Sequence, residues 1–156
     1  MIAKKLQLPA DTIEGITLGG LIHDIGKIST PSEILTKPTQ LLAAEYALVK
    51  EHPSIGADFF SNIKLRWPVK TIVEQHHERL DGSGYPKGLT GKDIILEARV
   101  VAVADVIDSM AANRPYRFAP GINAAIDELR DGKGIKYDES VVEAVLALHE
   151  SDELPL

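Results

Sequence analysis

The chain has no cysteine, which removes disulfide bridges and thiolate metal sites together. It has no apolar run near the roughly 20 residues needed to cross a bilayer. Its start, MIAKKLQLPAD, lacks the apolar stretch of a secretory signal. These absences fit a cytoplasmic chain with no membrane insertion. A basic surplus is missing too. The 17 Lys and Arg face 23 Asp and Glu, a net charge of −6, which argues against gripping a nucleic-acid polymer. A small anionic ligand stays compatible, because a few local cations or metal ions suffice for it. Internal repeats, low-complexity tracts and an interdomain linker are also absent.

What is present is an ordinary globular balance: 156 residues, 44% hydrophobic and 26% charged. That is enough for one domain, residues 1–156, with a real core. The apolar spacing is mostly helical. Asp11 can cap a helix that runs through Ile13, Ile16, Leu21, Ile22, Ile25 and Ile28, with Glu14 three residues on. Gly19 and Gly20 weaken it by about 1 kcal/mol each, so another backbone is expected to pack close there. Further helices are predicted over 43–51, 54–62 and 96–112, and from Pro68 to His77. Two more follow over 122–131 and 140–149, while residues 79–93 read as a glycine-rich loop. The valine-rich segment ARVVAVADVIDSM has strand-like composition, but its length and lack of a hairpin partner favour a helix. The fold class is all-α, a helical bundle.

Only five histidines occur, and two of them are adjacent, in QHHERLDGSGYP. His23 and Asp24 stand in LIHDIGKI, His52 in EHPSIG, His76 and His77 at a predicted helix end, and Asp105 mid-helix among valines and alanines. A carboxylate or imidazole in such surroundings needs a partner. Each has an ordinary alternative: His52 as a loop residue, Asp105 as a core carboxylate bonded to a helix end, the histidine pair as a solvated cap. Jointly, HD, H, HH and D on four predicted helices form a metal-ligand pattern. Neighbours on a helix diverge by about 100°, so His23 and Asp24 serve different ions more easily than one. Six such donors imply at least two ions, and imidazole with carboxylate suits iron, manganese, nickel or zinc.

HDIGK at 23–27 resembles the signature of the HD metal-dependent phosphohydrolases, and HHERLDGSGYP at 76–86 resembles their HD-GYP branch. ILTKP, KEHPSIGA, ARVVAVADVIDSM and RPYR extend the likeness over most of the chain. The resemblance implies an HD-domain helical bundle and a bacterial signalling phosphodiesterase that hydrolyses cyclic di-GMP. It implies two iron or manganese ions, three in the intact family site. It assigns His23, Asp24, His52, His76, His77 and Asp105 as metal ligands, with Asp24 bridging. Lys27, Arg114 and Arg117 match phosphate-binding positions, with Asp24 and Lys27 the catalytic pair. Tyr85 lies in the loop that the family uses against substrate or against diguanylate cyclase domains.

Two departures qualify it. Relatives carry a further histidine on a helix before the HD pair, whereas none precedes His23 here. MIAKKLQLP resembles the end of that helix, so the domain is expected to lack its start and one ligand. Leu42 stands where a threonine or serine usually caps the next helix, a loss of about 1 kcal/mol.

The chemistry is consistent with these residues. Phosphodiester hydrolysis needs an activated water and neutralised phosphate charge, and a pair of divalent ions supplies both. Lys27 would share a helical face with His23 and Asp24, and Arg114 and Arg117 could make charge-assisted bonds to phosphate. Ordinary surface roles remain for all three. The competing functions are a phosphohydrolase for another cyclic dinucleotide, and a metal-poor, catalytically weak module for nucleotide binding or protein docking.

Overall fold

The computed structural model describes residues 1–111 and 120–154. Among them are nine α-helices: α1 (Ile2–Lys5), α2 (Ala10–Ile22), α3 (Ser32–Leu35), α4 (Ala43–Val49), α5 (His52–Asp58), α6 (Val69–Gln75), α7 (Leu96–Ala111), α8 (Ile122–Gly132) and α9 (Glu139–Glu150). Short 3-10 turns cover Ile25–Ser29 and Gly91–Asp93. The all-α reading holds, and the described residues form only isolated β-bridges, Asp81 with Thr90 and Lys133 with Tyr137. No described helix is long and apolar enough to cross a membrane.

The valine-rich segment is helical because its side chains are needed on several sides at once. Val100, Val101, Val103 and Val106 of α7 are all buried, and α7 packs against α2, α6, α8 and α9. A strand would have offered only two faces. Ile72 of α6, Ile126 and Leu129 of α8, and Val141, Val142 and Val145 of α9 complete the core. Asp138 caps α9, its carboxylate accepting from the backbone N–H groups of Ser140 and Val141 at 3.0 and 3.3 Å.

Two expectations about α2 need correction. The predicted helix through Ile28 stops at Ile22, and the chain then tightens into the 3-10 turn. The glycines of α2 do not admit a second backbone. A Cβ at Gly19 would lie 2.7 Å from the Ile72 side chain, and one at Gly20 would meet only Val101 at 3.9 Å. The close backbone approach occurs further along, at Gly26. A Cβ there would collide with the carbonyl of His52 and lie 2.7 Å from the Gly56 nitrogen. Gly26 and Gly56 thus let the 3-10 turn settle directly on α5.

Leu42 opens α4 without a side-chain cap. Glu45 supplies half of the missing function, accepting from the Leu42 N–H at 2.7 Å while pairing with Lys37.

Candidate metal centre

Four elements deliver the six predicted donors to one place. His23 ends α2 with helical backbone angles, and Asp24 follows at φ −92°, ψ 7°. This change of winding turns both neighbours toward the same region, which a continuous helix would not do. His52 is the first residue of α5, held by the contact with Gly26. His76 caps α6, His77 follows it, and Asp105 projects from the middle of α7.

The imidazoles form a compact group. Ring centroids are 4.9 Å apart for His23 and His76, 5.3 Å for His52 and His76, 5.0 Å for His52 and His77, and 4.2 Å for His76 and His77. Donor atoms of Asp24, His52, His76 and His77 all lie within 4.8 Å of one another. Asp105 joins from the other side, 3.7 Å from His23 Nε2 and 3.8 Å from His77 Nδ1. Asp24 divides its oxygens: Oδ1 is 3.2 Å from His52 Nε2, whereas Oδ2 is 3.4 Å from His23 Nε2.

Hydrogen bonding sets the tautomers. The Nδ1 atoms of His23, His52 and His76 lie 2.6, 2.7 and 2.7 Å from the carbonyl oxygens of Gly20, Val49 and Val73. A carbonyl only accepts, so each Nδ1 donates, and in the neutral rings the Nε2 lone pairs face inward. Backbone carbonyls orient metal-bound histidines in this way. The Nε2 atoms of His52 and His76 are only 3.3 Å apart. Two lone pairs at that distance repel unless a cation or proton lies with them. Asp24 Oδ1 is buried beside them without a hydrogen-bond partner among the described residues. An orphaned carboxylate oxygen against two buried nitrogen donors fits a bound divalent cation.

The electrostatics differ across the group. Burial pushes His76 down to about 3 and His77 down to about 2, helped by neighbouring histidines, so both are neutral and free to donate. His23 goes the other way. Burial opposes its charge, but hydrogen bonds to Asp105 and Asp24 overcome that and raise it to about 10. Asp24 is held well below the usual carboxylate range; its burial is outweighed by His23, His52 and Lys27.

Lys27 reaches the centre from the 3-10 turn rather than from a shared helical face. Its Nζ donates to Asp24 Oδ2 at 2.6 Å. Tyr85 stacks on His77, with centroids 4.6 Å apart and planes 29° apart. Arg114 and Arg117 lie outside the described residues.

Two residues at the ends of the loop, Gln75 and Glu78, are not among the predicted donors yet fix its backbone. Glu78 directly precedes Arg79, an arrangement that ordinarily gives an ion pair or a solvated carboxylate. It is instead 2% exposed, and its carboxylate accepts from the backbone N–H groups of Lys87 and Leu89 at 2.7 and 2.9 Å. Arg79 points elsewhere, stacking over Tyr137 and donating to the Glu78 carbonyl. Gln75 closes the far end of the loop, donating to the Asp93 carbonyl and accepting from the Ile95 N–H. The available signal was a carboxylate next to a glycine-rich loop whose amides had no regular partners. Gly84 allows the loop to lie on the His77–Glu78 backbone, where a Cβ would collide with the Arg79 nitrogen.

An all-α bundle that gathers histidines and aspartates from four elements defines a helical domain with a candidate metal centre. The family model described as "HD domain" matches residues 1–141. The chain is 40% identical over 148 residues to the cyclic di-GMP phosphodiesterase response regulator RpfG of Xanthomonas campestris, covering 94% of this chain and 39% of that protein. It is 39% identical over 132 residues to the 3'3'-cGAMP-specific phosphodiesterase 1 of Vibrio cholerae, covering 83% and 30%. Among solved structures, Bd1817, an HDG"Y"P protein from Bdellovibrio bacteriovorus, superposes with a TM-score of 0.76 at 27% identity, covering 96% of this chain and 48% of that one. The chain belongs to the HD domain family, in its HD-GYP branch. It spans well under half the length of these two curated relatives.

Proposed function

We propose that residues 1–156 form one HD-GYP module, a metal-dependent phosphodiesterase for a cyclic dinucleotide, with cyclic di-GMP as its first substrate, acting in the cytoplasm. The observation that carries this reading is the orphaned Asp24 Oδ1 facing the inward Nε2 atoms of His52 and His76. The names of the relatives support the substrate class.

Asp24, His52, His76 and His77 would hold one ion, and His23, Asp24 and Asp105 would hold the other, with iron or manganese the proposed elements. When bound, such ions lower the pKa of water and neutralise charge on the attacked phosphate. The chain's own residues do the rest. Asp24 presents one oxygen to each half of the centre. Lys27, held on Asp24 Oδ2, places a positive charge at the edge where a phosphate would arrive. Tyr85 walls one side and fixes the His77 ring by stacking. Arg114 and Arg117 grip the phosphate by charge-assisted bonds. The loop around Tyr85 and Pro86 is also where a diguanylate cyclase domain would dock.

The test pairs metal analysis with product separation. Manganese- or iron-loaded protein is given cyclic di-GMP and 3'3'-cGAMP in parallel, before and after chelation. Cleavage of cyclic di-GMP that disappears on chelation and returns with metal is the expected result. Preferential cleavage of 3'3'-cGAMP would move the substrate within the class. Tight binding without cleavage by fully loaded protein would make the domain a docking or binding module and refute the enzymatic reading.

A further inference from the structure

Beside the metal centre, and separated from it by the Tyr85 ring, lies an open cleft between α4–α5 and the loop. Its volume is about 260 Å3, and Ala47, Lys50, Glu51, Ser54, Tyr85 and Pro86 line it. Sites that enclose a whole small molecule run to roughly 300–1,000 Å3. This cleft suits one planar group of a larger ligand rather than an entire cyclic dinucleotide. It opens next to His52, which directly follows Glu51, and Tyr85 lies 6.4 Å from His52 between ring centroids. A ligand with a phosphate at the histidines therefore has its neighbouring group beside this cleft.

We propose that the cleft is a guanine subsite and that Glu51 is the residue that distinguishes guanine from adenine. This inference rests on the cyclic-dinucleotide reading and names how that site chooses its base. The lining has the needed chemistry. Tyr85 contributes an aromatic wall and Ala47 and Pro86 apolar surface, as base pockets require. Glu51 is exposed at the start of α5 and offers a carboxylate, which only accepts. Guanine presents two adjacent donors, N1–H and the N2 amino group, which a carboxylate accepts together. Adenine presents a lone pair at N1, which the same carboxylate repels. Lys50 supplies the complementary donor for guanine O6 or N7. Its ammonium sits 5.2 Å from the centroid of the Tyr46 ring, which restrains the long side chain near the cleft. Ser54 adds a hydroxyl that can donate or accept. Because Glu51 is exposed, the discrimination is worth about one charge-assisted hydrogen bond, far less than a sealed pocket achieves.

The experiment compares wild type, Glu51→Gln and Glu51→Ala in two independent assays on the metal-loaded chain. The first measures kcat/KM for cyclic di-GMP and cyclic di-AMP. The second measures equilibrium binding of GMP and AMP, which needs no hydrolysis. Expected is a guanine preference in wild type that falls about tenfold in both variants, with metal content unchanged. Because Glu51 is exposed, both variants are expected to fold, and thermal unfolding verifies it. A guanine-to-adenine ratio that moves less than about twofold in both assays overturns the subsite. If wild type cleaves neither cyclic dinucleotide but binds GMP over AMP through Glu51, the phosphodiesterase reading fails and the guanine subsite stands.

Discussion

Glu78→Gln tests whether the loop that walls the centre is held by one carboxylate. In the wild type both carboxylate oxygens accept backbone N–H groups, from Lys87 and from Leu89, in a position that is 2% exposed. A glutamine keeps the shape and one acceptor. Its amide NH2 must then face the second N–H, leaving two donors against each other. Hydrogen bonds to a charged acceptor contribute about 1.5–3 kcal/mol, a neutral one about 1, and a buried unsatisfied donor costs about 1–3. The difference is a destabilisation of about 2–4 kcal/mol, within the roughly 5–15 kcal/mol of a typical domain, so the variant still folds. With a urea m-value of about 2 kcal/mol/M, the midpoint moves down by about 1–2 M. Amide exchange gives the local readout: protection at Lys87 and Leu89 falls, while protection of Val141, Val142 and Val145 in the core of α9 falls only by the global loss. Turnover of the metal-loaded variant drops because Tyr85, in the same loop, no longer holds its place on His77. A midpoint within about 0.2 M of wild type together with unchanged exchange at Lys87 and Leu89 would refute this account of the loop.

Other outcomes follow from the same geometry. A divalent ion at about one hundred times its dissociation constant stabilises the fold by about 2.7 kcal/mol, and His52→Ala abolishes most of that gain, as thermal unfolding with and without manganese will show. Gly26→Ala drives a methyl group into the His52 carbonyl, so it parts Asp24 from His52 and lowers metal content although no ligand is changed. Metal titration at neutral pH releases a proton from His23, which is raised to about 10, and occupancy of the half that contains His23 increases with pH; calorimetry in buffers of different ionisation enthalpy reads the release. Asp138 is held below its ordinary value: burial opposes its charge, but Ser140, Arg99 and the Val141 amide outweigh it. Its contribution is present above about pH 3.9 and lost as pH falls through the lower folded value, so Asp138→Ala costs about 1–2 kcal/mol at pH 7 and progressively less as acid titrates the wild-type carboxylate, measured by denaturation as a function of pH.

Much of this arrangement was legible in the sequence because its signals are local. Helical periodicity located α4, α7, α8 and α9 within a few residues, and apolar surroundings marked Asp105 and the histidines as groups that needed partners. The grouping of donors also came through, since imidazole and carboxylate in buried settings have few other uses. What escaped depends on pairs of residues far apart in the chain. The end of α2 at Ile22 carries no proline and no capping glycine; it is imposed by the contact of Gly26 with His52 and Gly56. Gly19 and Gly20 attracted the same reasoning, but only Gly19 is crowded, and by an Ile72 side chain. Glu78 adjoins Arg79 in the chain, but its partners lie nine and eleven residues ahead.

The break after α2 is what makes the adjacent pair useful. On an unbroken helix, His23 and Asp24 would point about 100° apart, and only one could enter the centre. With the winding changed at Asp24, His23 stays bonded to the Gly20 carbonyl and faces Asp105, while Asp24 swings toward His52. The same turn brings Lys27 back onto Asp24 Oδ2. One carboxylate is thereby committed on one oxygen to a lysine and a charged-prone histidine, and on the other to nothing but buried lone pairs. The two halves of the centre are chemically unequal before any ion arrives. The half around His52, His76 and His77 presents nitrogen donors already oriented by backbone carbonyls or by Tyr85, and His76 and His77 are neutral. The half around His23 and Asp105 must first give up a proton and share its bridging carboxylate with an ammonium. That inequality belongs to the residues themselves, and under the proposed two-ion reading it predicts filling from the His52 side.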